Sequence, residues 1–144
     1  MPIKNLLAAA SLITVLATSV AAKGTFYDCD MNVDVPNGWV SPKIGIVVDE
    51  AGKATVLDNI ILTLLEKPLQ VRARARGDSL RLSWQIAGAI DSAGQRVPTF
   101  SYQAWLDTKN LGLSVVAKPV GFPQRFSGKG RCQIRKNFNG FPRS

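Results

Sequence analysis

Histidine is absent from this chain. With it go the side chain that titrates nearest neutral pH, the usual general base and the commonest metal ligand. Only two cysteines occur, Cys29 and Cys132, and they lie too far apart for the Cys-x-x-Cys spacing of a redox dithiol. No glycine-rich phosphate loop is present. Gly128-x-Gly130 sits inside an expected strand beside a cysteine, with no helix following, which is the wrong context for a nucleotide fingerprint. Acids are few, 10 against 18 basic side chains. Beyond the first 22 residues no apolar run is long enough to cross a bilayer. These absences remove the common catalytic constellations, so no enzyme activity, no cofactor and no metal is expected.

What is present begins with an export signal over residues 1–22. Lys4 supplies the positive start, Leu6 to Val20 carries no charge, and Val20-Ala21-Ala22 has the small-residue pattern that a signal peptidase cuts after. The competing reading, a membrane anchor, suits a run this short and small-ended poorly. Localisation is therefore expected to be periplasmic or secreted, where disulfides persist, with no transmembrane segment after cleavage. The remaining residues 23–144 suffice for one domain with a hydrophobic core. Without Lys4 the chain carries 17 basic and 10 acidic side chains, a net charge of +7. Such a balance favours an anionic envelope lipid, a phosphorylated or acidic glycan, or an acidic protein. Nucleic acid has the right sign but is not expected outside the cytoplasm. Solubility alone also accounts for the charge.

Strict alternation dominates from Tyr27 to Val35, where every second residue is apolar, the period of a strand with one buried face. Pro36-Asn37-Gly38 breaks it before Trp39 and Val40 resume. Further strands are predicted at Ile44–Val48, Ala54–Leu57, Leu69–Arg76, Leu80–Ala87, Thr99–Leu106, Leu111–Lys118 and Gln124–Ile134, separated by turn residues. Eight short strands at this spacing predict an all-β domain over 23–134, a single antiparallel meander closed as a small barrel or packed as a sandwich. Asp58 to Lys67 departs from that period: Ile60, Ile61, Leu64 and Leu65 recur at helical spacing. Asp58 can cap the start and Pro68 bars continuation, so a short capping helix is predicted. A strand is the alternative there.

Cys29 falls on the apolar face of the first strand, and Cys132 shares a face with Phe126, Gly128, Gly130 and Ile134 in the last. Both point inward. One disulfide joining the terminal strands is expected, provided those strands are neighbours or face each other across the core. Closing a loop of roughly 100 residues stabilises a fold by about 4 to 5 kcal/mol on the chain-entropy account. Buried free thiols are the alternative.

Four clusters together resemble the landmarks of small exported alphaproteobacterial β-rich proteins of unknown function. They are Tyr27-x-Cys29, Gly38-Trp39-Val40-x-Pro42, Lys118-Pro119-x-Gly121-Phe122 and Arg125-Phe126-Ser127-Gly128-x-Gly130-x-Cys132. The resemblance spans nearly all of the chain after the signal and implies no activity. A fainter similarity is to periplasmic inhibitors of lysozyme, small disulfide-closed β-barrels with a Tyr-x-Cys start. The basic charge argues against that role, since an inhibitor of a basic enzyme is normally acidic.

The sharpest surface feature is an arginine ladder. Gln70, Arg72, Arg74 and Arg76 alternate with Leu69, Val71, Ala73 and Ala75. After Gly77-Asp78, Arg81, Ser83 and Gln85 alternate with Leu80, Leu82, Trp84 and Ile86. A two-residue turn with glycine first pairs Ala75 with Leu80 and Arg74 with Arg81. Opposed arginines repel unless an anion or acid lies between them. Arg72, Arg74, Arg76 and Arg81 are therefore candidate anion-binding residues, guanidinium being suited to paired hydrogen bonds with phosphate or carboxylate. A solvated face, kept basic against edge pairing or neutralised by acids elsewhere, is the competing account. Trp105 stands on the polar face with Ser101 and Gln103. It is expected opposite Gly112, where it either covers bare backbone or contacts a ligand or partner. Residues 135–144 read as a flexible basic and aromatic tail, with Lys136, Phe138, Phe141 and Arg143. Asp28, Asp30 and Asp34 share one strand face at about 7 Å spacing. Paired carboxylates can hydrolyse glycosides, but an exposed strand face lacks the pocket that raises an acid's pKa.

The leading functional expectation is an exported non-enzymatic binding domain acting on an anionic envelope component or acidic partner. One alternative is a barrel carrier of an apolar ligand, with Met31, Trp84, Phe100 and Tyr102 lining a cavity under the Asp58–Lys67 helix. Another is a periplasmic protein inhibitor or assembly subunit.

Overall fold

The computed structural model describes residues 24–135. The expected signal at 1–22 and residues 136–144 of the expected tail lie outside the described residues. Eight strands are seen: β1 (Gly24–Val33), β2 (Lys43–Asp49), β3 (Ala54–Asp58), β4 (Leu69–Arg76), β5 (Ser79–Ile86), β6 (Phe100–Asp107), β7 (Gly112–Pro119) and β8 (Phe126–Arg135). A single helix, α1 (Asn59–Leu65), separates β3 from β4. Each strand pairs antiparallel with the next, and β8 returns to β1, so the sheet is a closed barrel and not a sandwich. β8 runs one residue past the expected boundary, because Arg135 pairs with Phe26 and its guanidinium reaches Asp28 at 2.9 Å.

Alternation sends every second side chain inward. Tyr27, Cys29 and Met31 of β1, Ile44 and Ile46 of β2, and Leu80, Leu82, Trp84 and Ile86 of β5 meet Phe100, Tyr102, Leu106, Leu113 and Val115 in one core. Glycine lets the terminal strands close: a Cβ on Gly130 would overlap the Asp30 carbonyl oxygen. Cys29 and Cys132 stand directly opposite across the β1–β8 pair and are disulfide-bonded. The Cys132 amide donates to the Leu111 carbonyl on the β7 side, so toward β1 the position is non-hydrogen-bonded. There opposed side chains come closest.

Asp58 caps α1 as expected. Its backbone is extended, and its carboxylate accepts from the Ile61 amide at 2.7 Å. α1 buries Ile61 against the barrel and leaves Leu62 exposed. The chain leaves the helix through Glu66 in the left-handed region, ahead of Pro68. The segment 34–42 closes the same end. Trp39 stacks on Phe100 at 3.9 Å, and the Tyr102 hydroxyl donates to the Trp39 carbonyl at 2.9 Å.

Three expectations change. β1 ends at Val33, not Val35, because the Gly38 amide donates to the Val35 carbonyl and turns the chain, leaving Val35 exposed. Trp39 and Val40 lie in this loop and form no strand. Ala75 faces inward but is exposed: its β5 partner Leu80 is buried, but β3 pairs only with Leu69 to Val71 and leaves this half of β4 uncovered on its other side. Met31, Trp84, Phe100 and Tyr102 pack in the core, with Trp84 stacked on Tyr102 at 5.0 Å, and Trp84 and Tyr102 also border a cleft. The buried Trp84 indole N–H has no hydrogen-bond partner among the described residues.

Candidate anion-binding face

The β4–β5 hairpin has the register read from the alternation. Ala75 is opposite Leu80 and Arg74 opposite Arg81, across a two-residue turn in which Gly77 has φ of +59°. L-residues pay about 1–2 kcal/mol in that region and glycine does not. Arg72, Arg74, Arg76 and Arg81 all project into solvent. Among the described residues none of the four forms an ion pair: the pairs seen are Lys43 with Asp28 and Asp30, and Arg135 with Asp28.

The acids are engaged elsewhere. The Lys43 hydrogen bond, helped by Arg135, holds the Asp28 carboxyl below its ordinary pKa, and Asp30 and Asp28 push the Lys43 ammonium up. Asp34 accepts from the Ser127 amide at 3.0 Å and is likewise lowered. Asp107 accepts from the amides of Lys109 and Asn110 in its own turn. The ion pairs thus lie on β1, β2 and β8, while the arginines of β4 and β5 form none among the described residues, although Asp78 and Asp107 stand at the turn end of the same face.

Trp105 extends this face onto β6. It lies directly across from Arg81, whose guanidinium stands 5.6 Å from the indole centroid, within cation–π range. On its other side it faces Ser114, not Gly112. The register differs because the four-residue connection is 108–111, one residue later than the expected 107–110, which moves each partner by two. The Leu111 amide donates to the Asp107 carbonyl, and Leu111 takes a left-handed conformation. The indole therefore covers no bare glycine.

Two hollows flank the ladder. β4 uses Leu69 to Val71 to pair with β3 and Arg72 to Arg76 to pair with β5. Where β4 and β5 part, a cleft of about 500 Å³ opens, lined by the polar side chains of Gln70, Arg72, Ser83, Gln85, Ser101 and Gln103 and also by Leu69, Val71, Trp84 and Tyr102. A second hollow, of about 400 Å³, lies beside Trp105 with Ser79, Asp107, Asn110, Ser114 and Lys129. The amides and hydroxyls of the cleft were not singled out as site residues. The available signal was that they occupy the outward positions of the arginine-bearing strands.

Elsewhere, a groove of about 720 Å³ runs over β1–β3 between Phe26, Leu57 and Leu62 and the Asp28–Lys43 pair, away from the ladder. Asp58 is the one buried carboxylate among the described residues. Burial raises its pKa, while the Ile61 and Ile60 amides and the Ser41 hydroxyl oppose the rise. It caps α1 and meets the Ser41 hydroxyl at the edge of this groove. No group of three metal-binding side chains occurs, and no helix is long and apolar enough to cross a membrane, among the described residues. Comparison with known protein families, curated proteins and solved structures finds no match.

Proposed function

We propose that the protein is an exported, non-enzymatic binding domain that engages an anionic component of the cell envelope, or an acidic partner, through the outer face of β4–β6. The observation that carries this reading is four exposed arginines, two of them directly opposed, with no acid in ion-pair reach among the described residues. Such a cluster is repulsive in isolation and becomes favourable when an anion lies between the guanidinium groups. Export, and kinship with the small exported β-rich proteins that the four sequence clusters resemble, belong to the same reading. The disulfide agrees with an oxidising compartment. The apolar-carrier alternative would draw on Trp84 and Tyr102, which border the cleft where β4 and β5 part, while Met31 and Phe100 pack in the core.

The test is binding of the oxidised protein to polyanions and to vesicles bearing anionic lipids across a salt series, beside an Arg74→Ser/Arg81→Ser variant. Binding should weaken steeply as the screening length falls toward about 8 Å at physiological salt. The double variant should lose about tenfold or more in affinity, since each charge-assisted hydrogen bond contributes about 1.5–3 kcal/mol. Equal binding by both proteins, or binding indifferent to salt, would remove the ladder from the function.

A further inference from the structure

The outward side chains of β4, β5 and β6 form transverse rows. Arg72, Ser83 and Gln103 make one, Arg74, Arg81 and Trp105 the next, and Arg76, Ser79 and Asp107 a third. The middle row continues through Ser114 of β7 to Lys129 of β8. Rows lie about 7 Å apart along the strands and neighbouring strands about 4.8 Å apart. The cations and the indole thus form a band, with the cleft of amides and hydroxyls on one side and the Ser79–Ser114 hollow on the other.

We propose that this face takes an extended acidic polysaccharide, one sugar ring packing on the Trp105 indole and its carboxylate or phosphate groups meeting Arg81, Arg74 and Lys129. The inference rests on the anion-binding reading above and names the ligand class. Three observations carry it. First, the face offers one half-exposed indole, flanked by the Arg81 guanidinium, among polar groups. An indole presents an electron-rich face, which suits the C–H face of a pyranose, while the surrounding polar groups suit its hydroxyl rim. Second, neutral hydrogen-bonding groups outnumber the cations they surround. Gln85, Gln103, Ser83 and Ser101 line the cleft, and Ser79, Ser114 and Asn110 the hollow. Simple phosphate would leave these unused, whereas each sugar hydroxyl both donates and accepts. Third, the Asp107 carboxylate lines the hollow beside Trp105. It can accept a hydrogen bond from a sugar hydroxyl, a donor that a simple phosphate diester lacks.

Other polyanions fit less well. Single-stranded nucleic acid is tracked by several aromatic side chains in succession, and this face has one. A bilayer would need apolar side chains here, but Ile90, Val120 and Phe122 lie on loops at the α1 end of the barrel.

The experiment uses the oxidised full chain after export, with uronate oligosaccharides, inorganic polyphosphate, a neutral oligosaccharide, single-stranded DNA and anionic vesicles as probes. NMR of the three indole N–H groups gives the readout. Uronate should shift the Trp105 resonance and leave that of Trp39, stacked on Phe100 away from this face, unmoved. Trp105→Ala should weaken uronate binding by about fivefold or more, taking as the scale the lower end of what a nucleobase loses with its stacking ring, and leave polyphosphate binding unchanged. Trp105→Phe, which keeps a ring, should restore most of the affinity and also shows that loss in the alanine variant is not misfolding. If polyanions bind through the ladder while Trp105→Ala changes nothing, the polysaccharide inference falls and the anion-binding reading stands. The same holds if DNA or vesicles bind best and move the Trp105 resonance most. If no anion binds, both fall.

Discussion

Asp58 performs two tasks that pull its pKa in opposite directions. As the cap of α1 it accepts from the Ile61 amide, which favours the carboxylate; as a buried group it loses hydration, which disfavours it, and burial prevails. Asp58→Ala should lower stability at pH 7 by about 1–2 kcal/mol, read by urea unfolding, because the cap is lost. Asp58→Asn keeps an acceptor and should lose less. The two proteins also differ in pH dependence. A carboxyl raised above its ordinary 3.8 contributes stability that is full below that pH and is lost as pH rises through the folded value. Asparagine lacks that loss, so Asp58→Asn should gain on the wild type between pH 4 and pH 7. A gap between them that is constant with pH would mean that Asp58 is not desolvated. At this scale the cap was legible, because an aspartate before an apolar helical repeat has one local explanation. Its burial was not, since that depends on Ser41 arriving from a loop 17 residues earlier in the chain.

The β4–β5 hairpin sets two arginines face to face, an arrangement that stability alone would not select. Arg74→Thr removes the repulsion and introduces a β-branched residue suited to a strand, so it should raise stability by about 0.2–1 kcal/mol. The gain should shrink as salt is added. Thermal unfolding at low and high ionic strength checks this, and a loss of stability would mean that Arg74 makes a favourable contact. The hairpin's register was readable because Gly77-Asp78 is a turn of known length between two alternating runs. The β6–β7 connection was not, because nothing marks Leu111 for a left-handed conformation. Two residues of slip kept Trp105 on the outer face and changed its partner from Gly112 to Ser114. The same local uncertainty hid the cleft, which exists only because β4 changes partner midway along its length.

The barrel's eight seams are not equal. Alternation announced the strand count, but a barrel and a sandwich share that pattern, and closure depends on the long-range meeting of β1 with β8. That seam runs over eight residue pairs from Phe26–Arg135 to Val33–Gly128 and carries the disulfide. β4, by contrast, has no residue paired on both sides: Leu69 to Val71 meet β3 and Arg72 to Arg76 meet β5. Each half of β4 therefore presents backbone amides and carbonyls without a ladder partner on one side. Local opening should begin there, at the strand that bears the candidate site. Native-state hydrogen exchange should accordingly find the β4 amides exchanging before those of β1 and β8. Cys29→Ala/Cys132→Ala should lower global stability by about 4–5 kcal/mol, as expected for freeing a loop of this length. It should also narrow the difference between the two seams, since the disulfide holds only one of them. If β1 and β8 exchanged first in the oxidised protein, closure would be limited at the disulfide seam. The arginine face would then sit on the firm side of the barrel, a preformed surface and not one that yields to its ligand.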